Sequence, residues 1–135
     1  MTPAVTLTVH TKPFHQQGDV ILDPLENFGV EFPEDGTPVK PLAKGRGYPI
    51  AQSQATGHAH VVSAVRGVKV VDRKRVLDLP GNRRQDVQFW VRIPKSGAVL
   101  SHEEHHAIPL PPGDYVVRGV LEYDHFLEES RNVID

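Results

Sequence analysis

The sequence predicts an all-β fold, a small single-domain β-barrel or sandwich with one long irregular loop. Twelve prolines and eleven glycines are spread over 135 residues, which leaves little room for long helices and supplies turns for many short strands. Apolar and polar residues alternate at period two, most clearly where Val87, Phe89, Val91 and Ile93 interleave with Gln88, Trp90 and Arg92. A 39% hydrophobic and 24% charged composition describes one domain, residues 1–135, able to bury one sizeable core.

Residues 3–10 are rich in Val and Thr and place Val5, Leu7 and Val9 on one face of a first strand. Gly18 and Asp19 form a turn that feeds a short apolar strand at 20–22, and Pro24 stops it. Residues 25–48 lack sustained periodicity and read as the long loop, with a strand at 30–32 inside it. Residues 49–62 form a strand interrupted near Gly57. Strands at 64–71, with a turn near Arg66 and Gly67, and at 75–79 follow it. The loop 80–86 leads to the strand of Val87 to Ile93, and Lys95, Ser96 and Gly97 turn the chain into residues 98–101. In the last strand Tyr115, Val117, Leu121 and Tyr123 share one face, and Val116, Arg118, Val120 and Glu122 the other. Residues 127–135 are a C-terminal tail of one or two helical turns.

A net charge of −2 gives no global attraction to nucleic acid or to an anionic membrane. No segment approaches the roughly 18 apolar residues needed to cross a bilayer, and the N-terminus lacks a signal pattern, so the expected location is cytoplasmic with no membrane partner. Zero cysteines exclude disulfides, thiolate metal sites and thiol nucleophiles together. Any metal is therefore held by histidine, carboxylate and backbone oxygen.

Five of the eight histidines fall in two compact groups, TGHAH (His58, His60) and HEEHH (His102, His105, His106). Two residues apart on an extended segment, His58 and His60 project from one face and can converge on one ion. HEEHH matches the metalloprotease pattern H-E-x-x-H, which works only on a helix long enough to set both histidines on one face beside a glutamate. Prolines at 109, 111 and 112 leave no room for that helix. A single helical turn or a tight loop at 102–106 still brings His102 and His105 to the same side, with Glu103 and Glu104 as ligands, orienting carboxylates or bases.

The run of QGDVIL, TGHAH and HEEHHAIPLPPGDYVV resembles a family of small uncharacterised bacterial and phage-associated proteins with TGHxH and HEEHxxIxLPPGxYxV motifs. The resemblance pairs His102 with His105, because His106 falls at a variable position. A weaker likeness is to cupin-type barrels, whose HxH motif TGHAH supplies. That likeness implies a divalent metal inside a barrel, although the glutamate expected after HxH is missing from VVSAVRG.

Three function classes follow. In the first, His58, His60, His102 and His105 bind a divalent metal (Zn, Mn, Fe or Ni), with Glu103 and Glu104 as candidate catalytic groups for metal-dependent or histidine acid–base chemistry. The second is a non-catalytic, oligomeric or phage-like assembly module, for which an exposed Trp90 is the marker and a buried Trp90 signals only a sandwich. The third is a nucleic-acid accessory protein using Arg73, Lys74, Arg75, Arg83 and Arg84 on one basic edge.

Overall fold

A computed structural model describes residues 12–42, 45–52, 58–79 and 82–120. The expected strand at 3–10, the tail at 127–135, Gly57, and the faces assigned to Leu121, Glu122 and Tyr123 lie outside these residues. Ten strands are described, in two antiparallel sheets. The larger sheet contains β1 (His15–Gln17), β2 (Val20–Pro24), β3 (Thr37–Pro38), β6 (Lys69–Leu79), β7 (Arg83–Ile93) and β10 (Gly113–Gly119), in the spatial order β1-β2-β10-β7-β6-β3. The smaller contains β4 (Tyr48–Gln52), β5 (Ala59–Val62), β8 (Ala98–His102) and β9 (His105–Leu110), in that order. Of the two all-β alternatives the sandwich is realised; among the described residues neither sheet closes into a barrel.

Alternation decides which side chains meet. One face of the larger sheet, including Leu22, Val70, Val91 and Val117, packs on Ile50, Val62, Leu100 and Leu110 of the smaller sheet. The opposite face buries Val71, Val87, Trp90 and Val116 under Leu25 and Phe32. Each such side chain contributes roughly 1.5–3 kcal/mol when fully buried. The strand expected at 30–32 does not form. Instead a 3-10 turn at Leu25–Asn27 starts an irregular segment that gives up pairing to cover this second apolar face, with Phe28 and Val30 packed against it.

Further boundaries differ from the sequence reading; β2 runs through Pro24, which pairs with Tyr115 instead of stopping the strand. The strand expected at 64–71 forms only from Lys69 on and is continuous with the one expected at 75–79, making one eleven-residue strand, β6, with a bulge between Asp72 and Arg75 that absorbs the change in alternation. Strand β7 begins at Arg83, inside the expected 80–86 loop, because it pairs with β6 as far as Leu79. Trp90 is fully buried, and its Nε1 donates to the Arg73 carbonyl in the bulge at 2.8 Å. The surface marker for an assembly face is therefore absent at this residue. No described helix is long and apolar enough to cross a membrane.

Candidate functional site

HEEHH is the tip of a β-hairpin. His102 ends β8, His105 begins β9, and Glu103 and Glu104 form the turn between them. The two histidines are paired across the hairpin, so their side chains leave the same face. Of the helical turn and the tight loop, the tight loop forms, and the His102 and His105 ring centres lie 4.8 Å apart.

A bulge selects which histidine takes part. Ala98 pairs with Leu110 and Leu100 with Ile108, but His102 pairs with His105, so β9 advances three residues while β8 advances two. Regular pairing would have set His106 opposite His102; the extra residue substitutes His105. On the other side of β8, Val62 pairs with Leu100 and Val61 with Ser101, and continuing that register sets His60 beside His102. Three neighbouring strands thus carry a lateral row of imidazoles on the inner face of the smaller sheet, at the edge of the apolar core.

His102 is the hub of this row. Its ring centre lies 4.3 Å from that of His60, 4.8 Å from His105 and 5.7 Å from His58. Among the described residues, donor atoms of His58, His102 and Glu103 come within 4.8 Å of one another, a group able to surround an ion. Of the four histidines expected around one ion, His58 and His102 belong to this group with Glu103, while His60 and His105 lie beside His102 in the row.

Hydrogen bonds fix the rings. Gln17 is buried at the end of β1, and its Nε2 donates to the carbonyls of Leu100 at 3.0 Å and His106 at 2.8 Å. Those two donations settle the amide orientation, so Oε1, 2.9 Å from His60 Nδ1, accepts the ring proton. In the neutral His60 ring Nε2 is then the lone-pair nitrogen. His58 Nδ1 lies 2.5 Å from Glu104 Oε1, so the Glu104 carboxylate orients His58 in the same sense. His102 is held the opposite way: the Glu104 backbone N–H donates to its Nδ1 at 3.0 Å.

Gly18 is required at the β1–β2 turn. Its φ is +58°, and a β-carbon there would lie 2.7 Å from His105 Nε2. Neither Gln17 nor the approach of Gly18 to His105 was expected from the sequence. A lone glutamine carries no spacing signal, and the GD pair announced only a turn.

The electrostatics favour a neutral imidazole beside an anionic carboxylate. Burial, reinforced by His102 and His105, pushes His60 down to about 4, against opposing pulls from Asp19 and Glu103. Glu103 is held below the usual carboxylate range, first by a hydrogen bond from its own backbone and then by His58 and His102.

Several basic residues of the β6–β7 hairpin have partners close by. Arg73 pairs with Asp35, Arg84 with Asp78, and Arg75 stacks over Trp90. Lys69, nearby, pairs with Glu34.

The histidine row, its supports and both apolar cores lie within one contiguous stretch. Residues 16–119, well over half of the chain, match the family model described as "Domain of unknown function (DUF8820)". The chain belongs to this family. The DUF8820 span includes Gln17, Gly18, both histidine motifs and the described strands from β2 to β10. No curated protein and no solved structure matches the chain.

Proposed function

We propose that this protein binds a divalent transition metal at the edge of the sandwich, among His58, His60, His102 and Glu103, with His105 completing the wall. The observation that carries this reading is the pair of orienting contacts. Gln17 and Glu104 each take the Nδ1 proton of one imidazole, as outer carbonyls and carboxylates do for metal-bound histidines. Neutral imidazole together with carboxylate suits Zn, Mn, Fe or Ni. An ion held by three protein groups keeps a coordination position for a small ligand, so the site is competent for metal-assisted chemistry with Glu103 or Glu104 as a proton acceptor.

Elemental analysis of untagged protein tests the reading. We expect close to one equivalent of a transition metal, and a rise in thermal midpoint when zinc or manganese is added to metal-free protein. Saturation at about a hundred times the dissociation constant stabilises by about 2.7 kcal/mol. Metal content below about a tenth of an equivalent, with no thermal response to either ion, would overturn it.

A further inference from the structure

Residues 28–36 cover the second apolar face without pairing to it. Among the described residues their backbone hydrogen bonds are local, from Phe28 N–H to the Leu25 carbonyl and from Gly36 N–H to the Pro33 carbonyl. Pairing with β6 starts only at Thr37. We propose that this segment is a charge-latched strap, which lifts from the larger sheet as a unit and uncovers Trp90 when Glu34 and Asp35 lose their partners, while the two sheets stay packed.

The strap is held by two kinds of contact. Inward, Phe32 is buried, and Phe28 and Val30 pack partly against the cluster that contains Val87, Trp90 and Val116. Outward, two consecutive carboxylates reach three cations of the sheet. Glu34 Oε2 lies 2.8 Å from Arg92 Nη2 and its Oε1 3.2 Å from Lys69 Nζ, and Asp35 pairs with Arg73. The Arg92 guanidinium also covers the Phe32 ring at 4.3 Å, so one cation touches both the charge and the apolar anchor of the strap. Asp114 accepts two hydrogen bonds from that guanidinium, at 2.9 and 3.2 Å. The sheet side of the latch is therefore held by the sheet itself.

The charged contacts are the ones open to solvent. The side chains of Glu34 and Asp35 are 60% and 73% exposed, and ion pairs of that kind are individually weak and easily screened. Open clefts of about 640 and 660 Å³ flank the strap, one beside Arg92 and Asp114 and the other beside Arg73 and Arg75. Water thus reaches it from both sides. Gly29, at φ +63° with open space where a β-carbon would lie, supplies a hinge at the start of the segment, and the Thr37–Pro38 pairing with β6 anchors its end. A stretch with few backbone bonds and solvated contacts opens well before the sheets that carry it.

The test uses the full chain carrying Glu34→Gln and Asp35→Asn, with Trp90, the single tryptophan, as reporter. In the unmodified chain the indole should stay shielded. In the double variant its acrylamide quenching constant should rise about threefold or more, while the far-UV circular dichroism is unchanged. The thermal midpoint should stay within about 3 °C of the unmodified chain. Glu31→Gln is the control, because Glu31 is exposed and has no ion pair among the described residues; it should leave the quenching as it was. Unchanged quenching in the double variant overturns the proposal. So does a rise that appears only where circular dichroism reports unfolding of the sheets, or one that Glu31→Gln reproduces.

Discussion

The residue on which the site depends most is Gln17, which no motif contains. One amide joins β1 to β8, to β9 and to His60. Gln17→Leu keeps the volume but removes a donor from two carbonyls and the acceptor of one ring N–H. Each buried group left unsatisfied costs about 1–3 kcal/mol, so urea denaturation should show a loss of about 2–4 kcal/mol. A change below about 0.5 kcal/mol would show that the amide does not hold the row. His60 makes a second prediction, in pH. Its folded value, about 4, lies below the ordinary 6.5. The unfolded chain therefore binds the proton more readily between those two values. Stability of the metal-free protein is fully present above pH 6.5, falls as pH drops toward 4, and changes no further below that from this residue. The term is at most on the order of 3 kcal/mol, and His60→Phe should flatten that part of a stability-versus-pH curve. His58, His60, His102 and His105 were all legible as candidates, because period two and a short turn fix which of them share a face. Gln17 was not, since its partner His60 stands 43 residues away and only folding brings them together.

At the scale of elements, HEEHH shows how neighbours outweigh a motif. The prolines after it exclude a long helix, which the sequence made plain; that the alternative is a hairpin with a bulge was not plain. A single extra residue in β9 exchanges His106 for His105, and register of this kind is set by pairing across strands rather than by local pattern. The segment after β2 gives the converse case. Its lack of periodicity correctly marked an irregular stretch, while its apolar residues, Phe28, Val30 and Phe32, suggested a strand that does not form. They face the second core instead, a destination fixed only by Trp90 and Val116 beneath them. Trp90 is the single tryptophan of the chain and reports on this packing. Its fluorescence should be blue-shifted and shielded from iodide, and exposure to quencher in the native state would contradict the buried second face. Trp90→Phe keeps most of the apolar area but loses the bond to the Arg73 carbonyl in the β6 bulge, an expected cost of about 1–3 kcal/mol in denaturant unfolding.

For the whole molecule, the larger sheet is buried on both faces, and one ion pair lies inside it. Arg118 Nε donates to Asp23 Oδ2 at 2.9 Å with both side chains almost inaccessible, while Asn27 donates to Asp23 Oδ1. Removing one partner takes the countercharge from a buried charge. Arg118→Met should therefore cost about 3–5 kcal/mol, and the double variant with Asp23→Leu should recover much of it. An equal loss in both variants, measured by urea unfolding, would mean that packing rather than charge governs this position. By itself the sequence determined the all-β class, the absence of thiol chemistry, the exclusion of a helical protease site and the set of histidines in play. These follow from composition, prolines and side-chain alternation, all of which act over a few residues. Tertiary structure alone decided that the sheets form a sandwich rather than a barrel, that His60, His102 and His105 line up across three strands, and that Gln17 and Glu104 orient the rings. Those outcomes depend on register and on contacts between distant segments, whose free energy appears only when the sheets pack.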